Sequence, residues 1–151
     1  KGFAHSIDTS ADLAARVAEE ICIQLADESF KVVILFTGHY PPEQIDALEE
    51  GARRARKMAK GTRFLVWADN QFLGDQYVGD HAGATETSFQ MFFDPKSIVL
   101  DSLPDRPLTL DGDGVMGDDP REASVERGEL QLKVVLQNVV PKVKALLEEI
   151  K

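Results

Sequence analysis

Lys31-Val-Val-Ile-Leu-Phe-Thr37 is a continuous apolar run of β-branched and large side chains, closed by the turn residues Gly38-His39-Tyr40. An unbroken run of this kind, rather than an alternating one, suits a central strand covered on both faces, as in a parallel sheet. Pro41-Pro42 follows, and a proline fits the first position of a helix, where its missing N–H would have had no partner. Ile45, Leu48, Ala52, Ala55 and Met58 then carry the helical period until Gly61 ends it. Thr62-Arg-Phe-Leu-Val-Trp-Ala68 is a second strand. Strand, helix, strand in that order makes a βαβ unit, and such crossovers are right-handed.

Upstream of this unit, residues 1–8 (KGFAHSID) read as a short approach segment. Thr9 or Ser10 is placed to cap a helix, with Asp12 in its first turn favourable to the helix dipole. Leu13, Val17, Ile21 and Leu25 recur every four residues with Ala14 and Ala18 beside them, which predicts about four turns of helix with that stripe buried. Asp27-Glu28-Ser29 ends it.

Downstream, a polar loop over 69–80 leads into Gly79-Asp-His-Ala-Gly-Ala-Thr-Glu-Thr-Ser88, just ahead of the apolar run Phe89 to Phe93. A helix is expected from near Gly83 to Asp94-Pro95. Residues 95–120 are rich in proline and glycine, with short strands expected at Ser97–Leu100 and Leu108–Leu110. From Arg121 the pattern is helical to the end, and Pro141 is expected to kink or break it.

One domain accommodates 151 residues, long enough to bury a core. A net charge of −9 argues against a nucleic-acid or anionic-membrane surface, where a basic excess is needed. No apolar run approaches the ~20 residues of a membrane span, and no signal peptide is evident. The single cysteine, Cys22, excludes an intrachain disulfide and a cysteine-based zinc cage, and fits a reducing cytoplasm.

His39 directly follows the first strand, and ligands in open α/β sheets bind beyond the carboxyl ends of strands. His81 and Glu86 follow the second crossover. Imidazole with carboxylates suits zinc, manganese or iron, and Asp80 is placed to orient an imidazole. The plainer reading of Asp80 and Glu86 is that both are helix-start carboxylates favoured by the macrodipole. The spacing alone specifies no metal, since nothing resembles two histidines one helical turn apart. Asp111-Gly-Asp-Gly114 suggests a calcium loop but lacks its twelve-residue pattern and closing glutamate, so a glycine-rich turn is the better reading.

The order of motifs resembles the creatininase (creatinine amidohydrolase) family. The resemblance rests on Gly38-His39-Tyr40 after an apolar strand, on Asp80-His-Ala-Gly-Ala-Thr-Glu-Thr-Ser88, and on Gly114-Val-Met-Gly-Asp-Asp-Pro120 with Ala123-Ser-Val-Glu-Arg-Gly-Glu129. Gly2-Phe-Ala-His5 is similar to the family's loop ahead of its mid-chain helix. The resemblance implies a three-layer α/β/α fold with a mostly parallel central sheet, formed by residues 1–151 as one domain that lacks the family's N-terminal part. The opening Lys1, in place of methionine, fits a fragment of a longer chain.

It also implies a metal-dependent amidohydrolase, with one or two divalent ions (zinc, manganese or iron) and hydroxide attacking a cyclic amide or formamide C–N bond. His39 matches the family's histidine ligand and Glu86 the glutamate of E-T-S, a metal ligand or site carboxylate. His81, with Asp80, matches the proton-carrying position. Glu43 stands in for the carboxylate of the family's Y-E-N turn, displaced by Pro41-Pro42. Ala84 occupies the place of the glutamate in H-A-G-E, and the family's upstream ligand motif is absent. These departures sustain an alternative, a non-catalytic homologue serving as a binding or assembly module. A cytoplasmic homo-oligomer with a small-molecule amide substrate, and no nucleic-acid or membrane partner, completes the expectation.

Overall fold

The computed structural model describes residues 9–74 and 79–150; the Gly2–His5 similarity lies outside the described residues. They divide into two compact units, one holding the chain up to Gln71 together with the part from Val140 onward, the other Phe72–Val139.

The first unit is built on the βαβ element. Strand β1 (Val32–Thr37) pairs in parallel with β2 (Arg63–Ala68), from Val32 opposite Arg63 to Thr37 opposite Ala68. Helix α2 (Pro42–Met58) makes the crossover, with Pro41 at its N-cap and Pro42 opening its first turn. Helix α1 (Ala11–Asp27) precedes them, capped by Ser10, whose hydroxyl accepts the Leu13 N–H at 3.2 Å. The core of this unit is Cys22, Val33, Ala52, Ala55, Phe64 and Val66. Val33, Phe64, Val66 and Ala68 lie on one face of the sheet and are buried. The opposite face, with Val32, Ile34, Leu65 and Trp67 half-buried and Phe36 exposed, is less covered than an unbroken apolar run suggests.

Helix α1 corrects the expected stripe. It buries Ala15, Ala18 and Cys22, while Leu13, Val17 and Ile21 are 42%, 50% and 46% exposed. The reason is the partner: α2 offers Ala47, Gly51, Ala52 and Ala55, and only a small-residue face lets two helices approach that closely. A Cβ on Gly51 would stand 2.5 Å from the Ala15 carbonyl oxygen and 2.7 Å from the Ala18 Cβ. Proximity outweighed side-chain size.

Helix α3 (Asn70–Leu73) leaves β2 within the span read as a polar loop. The second unit contains α4 (Ala84–Phe93), α5 (Leu110–Asp113) and most of α6 (Val125–Glu148). The strands expected over 97–110 are absent among the described residues. Single 3-10 turns at Pro95–Ser97 and Leu100–Ser102 replace the first, because the Asp94 carboxylate caps Lys96 N–H and starts a helical turn instead. Thr109 does the same for Gly112 N–H and opens α5. Helix α6 runs continuously through Pro141 rather than breaking there. Pro141 and Gln137, whose carbonyl loses its helical donor, are both exposed, so water can meet that oxygen. No helix among the described residues is long and apolar enough to cross a membrane.

Candidate functional site

The site is organised by the start of α4. Its N-cap is Gly83, which has no side chain to offer. The first-turn amides are met from upstream instead: Asp80 Oδ2 accepts from Thr85 N–H at 2.5 Å and from Glu86 N–H at 3.3 Å. Space for this reach comes from two glycines. A Cβ on Gly83 would lie 2.7 Å from Asp80 Oδ2, and one on Gly117 2.5 Å from the Asp80 Cβ. Gly117 also holds φ +98°, a conformation that side-chain-bearing residues avoid. Asp80 is only 5% exposed, and its Oδ1 has no hydrogen-bond partner among the described residues. Burial pushes its carboxyl up from the ordinary carboxylate value, against the pull of the two helix amides.

Glu86, in the first turn of α4, reaches back so that its Oε2 accepts the Ala82 N–H at 2.8 Å. A capping box directs this third-position glutamate to the N-cap amide. Here it takes the amide one residue earlier. Ala82 sits at φ +51°, in the left-handed region where a residue with a Cβ pays about 1–2 kcal/mol. The helix-start reading of Asp80 and Glu86 therefore describes bonds that both carboxylates make.

His81 lies between these two pinned residues. Its backbone forms an antiparallel bridge with Met116, N–H to O at 2.9 Å in both directions. Ala84 N–H donates to Asp118 O at 3.0 Å, extending the contact of the two segments. The His81 residue is exposed, and its imidazole makes no hydrogen bond or ion pair among the described residues. Asp80 thus bonds the helix amides rather than that ring.

Around this core, Arg127 donates to Thr85 Oγ1 at 3.1 Å and to Asp118 Oδ2 at 3.4 Å. Ser88 Oγ donates to Ala84 O at 2.5 Å and accepts Ser124 N–H at 3.2 Å. Met116, Gly117, Asp118 and Arg127 were not singled out as site residues. Their signal was available in the runs Gly114–Pro120 and Ala123–Glu129, which mark where the second segment crosses the first.

His39 and Glu43 belong to the first unit. Thr37 Oγ1 accepts His39 N–H at 3.1 Å and donates to His39 O at 2.8 Å, a tight turn that leaves the residue exposed beyond the end of β1. The Asp69 side chain from the end of β2 borders Gly38, with Oδ2 3.5 Å from where a Cβ would stand. Glu43 is exposed in the first turn of α2 and lines a shallow cleft with Asp12, Asp46, Glu50 and Arg54. Among the described residues, no group of three or more His, Cys, Asp or Glu side chains is gathered closely enough to hold a metal ion.

Comparison with known proteins agrees with the architecture. Residues 1–143 match the creatininase (creatinine amidohydrolase) family. Among solved structures, a creatininase mutant of the Zn–Zn type is similar at a TM-score of 0.78 and 19% identity, covering 95% of this chain and 67% of that one. A creatininase mutant complexed with creatine follows at 0.76 and 20% identity, covering 98% and 68%. A manganese creatininase gives 0.75 at 22% identity, covering 95% and 67%. At such identities these likenesses establish the α/β fold. No curated protein sequence matches the chain.

Proposed function

The chain belongs to the creatininase family, and from that premise we propose that it takes part in hydrolysing the C–N bond of a small cyclic amide or formamide, with His81 as the proton carrier. One observation carries this reading. The His81 backbone N–H and C=O are both bonded to Met116 while its imidazole is exposed and unengaged among the described residues. A ring held in place but left without an internal partner is available to a reacting molecule.

In such a reaction neutral His81 accepts a proton from the attacking water as its oxygen bonds to the amide carbonyl carbon. The resulting imidazolium returns that proton to the departing nitrogen as the C–N bond breaks. Asp80 is a positioning residue in this scheme, since its carboxylate fixes the start of α4 on which the His81 turn rests. The family also suggests a divalent metal, zinc, manganese or iron, as one ion or two, for which His39, Glu43 and Glu86 are the side chains this chain offers. These donors do not fit a complete metal cage: the described residues gather no group of three, and Glu86 already spends one oxygen on Ala82 N–H. The acidic charge accords with neither nucleic acid nor membrane as partner and the single buried cysteine with a cytoplasmic setting, while a homo-oligomer acting on a small molecule is carried over from the family.

Creatinine is the probe for the test. His81→Asn should lower creatine formation at least a hundredfold; an unchanged rate would overturn His81 as the proton carrier. Metal analysis of the purified chain tests the remaining ligand set, with stoichiometric zinc, manganese or iron lost in His39→Ala as the supporting result. The absence of a three-donor group among the described residues also favours a second reading, a non-catalytic binding or assembly module. No creatinine turnover and no bound metal in the wild-type chain would select it.

A further inference from the structure

Three independent restraints converge on the two residues His81 and Ala82. The first is the pair of 2.9 Å hydrogen bonds between the His81 and Met116 backbones. The second is the 2.8 Å bond from Ala82 N–H to Glu86 Oε2. The third is the burial of Asp80, one residue upstream, beneath Gly117 and Gly83. Between them Ala82 is held at φ +51°. A left-handed alanine persists only where its surroundings over-determine it, and such residues concentrate at functional sites.

A charged acceptor facing a strained amide supplies the stronger kind of hydrogen bond. The Glu86 carboxylate sits three positions into α4, where the helix amides also favour negative charge. If Ala82 relaxed to an ordinary negative φ, the peptide between His81 and Ala82 would turn, its N–H would leave Glu86 and its carbonyl would strain the bond from Met116 N–H, and the exit direction of the His81 side chain would change. Met116 N–H holds the peptide between His81 and Ala82 by its carbonyl and Glu86 holds it by its N–H, so the direction of the ring depends on both bonds.

We propose that Glu86 is the positioning residue of His81: by holding the Ala82 amide it keeps the left-handed turn that aims the exposed imidazole. This rests on the reading of His81 as the proton carrier, which gives the aim a purpose, but the clasp itself is tested without catalysis. The histidine ring provides the signal. In the full chain labelled for histidine NMR, wild-type His81 should show one sharp ring correlation, and the Ala82 amide should exchange slowly with solvent. Glu86→Ala should broaden or split the His81 signal and speed Ala82 exchange about tenfold or more. His39, in the other unit, should keep its signal.

Two further variants separate aiming from general stability. Glu86→Gln retains an acceptor oxygen and should keep most of the wild-type ring signal. Ala82→Gly removes the left-handed cost, so adding it to Glu86→Ala should restore a single His81 signal and slow exchange. An unchanged His81 signal in Glu86→Ala would overturn the proposal, as would failure of Ala82→Gly to restore it. Should Glu86→Ala not fold, Glu86→Leu, which keeps side-chain bulk but has no acceptor for Ala82 N–H, carries the same comparison with and without Ala82→Gly, and an unchanged His81 signal in Glu86→Leu overturns the proposal. The activity test stands apart: full creatinine hydrolysis by His81→Asn would sink the proton-carrier role while the ring signals still decide the clasp.

Discussion

In the first unit, α2 reaches α1 through Ala47, Gly51, Ala52 and Ala55, with the ion pairs of Arg54 to Asp12 and Glu19 beside this small-residue face. In the second, α4 reaches α6 through Ser88 and Gly128, and hydroxyls, a guanidinium and backbone amides bond across the seam. Both contacts are close. The centre of the first is held by dispersion between small side chains, which has no direction, with ion pairs beside it; the second is held by hydrogen bonds, which do have direction. The exposed histidine that the proposed chemistry needs, His81, belongs to the second. A bonded backbone can present a polar side chain to solvent without the ring itself helping to hold the fold.

The largest expected effects lie where both seams are tightest. A Cβ on Gly128 would overlap the Ser88 carbonyl, lie 2.7 Å from its carbon and 2.9 Å from the Phe92 Cβ. Since Ser88 Oγ accepts Ser124 N–H across the seam, α4 cannot give way without straining that bond, and Gly128→Ala should cost about 3 kcal/mol or more in urea unfolding. Gly51→Ala meets the Ala15 carbonyl and Ala18 Cβ, where α1 can slide without losing a hydrogen bond. A loss of about 2 kcal/mol is expected. If Gly51→Ala proved the costlier, the directional seam would be the more compliant one and the contrast would fail.

A second comparison lies within the polar region. Asp80→Ala removes the acceptor for Thr85 and Glu86 N–H and should cost about 1–2 kcal/mol. Asp80→Asn keeps an acceptor oxygen and a similar volume beneath Gly117, so less than half of that loss is expected. Measured unfolding free energies for the two variants decide whether Asp80 acts as a cap. Equal losses would mean that the charge, and not the hydrogen bonds, secures the turn.

How far these regions could be read from sequence follows the same division. The strands at Val32–Thr37 and Arg63–Ala68 were legible because an apolar run between turn residues has few other uses, and the proline at the head of α2 placed its start. Ser10 marked the head of α1 in the same way. The face of α1 was not legible, since periodicity ranks side chains by size and hydrophobicity while packing here was decided by the absence of side chains on α2. The 3-10 turns over 95–102 were hidden because Asp94 capping competes with a β-branched pair, Ile98-Val99, and capping won. Of the candidate residues, His39, Asp80, His81 and Glu86 stood out as residue types, and Glu43 only through the family resemblance. That Glu86 bonds Ala82, or that His81 pairs with Met116, depends on a contact between segments more than 30 residues apart in sequence and on one positive φ, neither of which leaves a trace in composition.

The smallest expected effect tests the α1 correction. Val17 and Ile21 share the apolar stripe with Leu13, and a helix packed through that stripe would lose about 1 kcal/mol or more on Val17→Ser, and more on Ile21→Asn. In the structure both residues are about half exposed, and the buried face is Ala15, Ala18 and Cys22. Substitution at Val17 then forfeits only a partly covered side chain, and the change should stay within about 0.5 kcal/mol. Ala18→Leu, which inserts a large side chain where the Gly51 Cβ position is already 2.7 Å from the Ala18 Cβ, should cost about 2–3 kcal/mol. The ratio of these two losses is more informative than either alone, because it reports which side of one helix faces its neighbour. A larger loss at Val17 than at Ala18 would return the apolar stripe to the core.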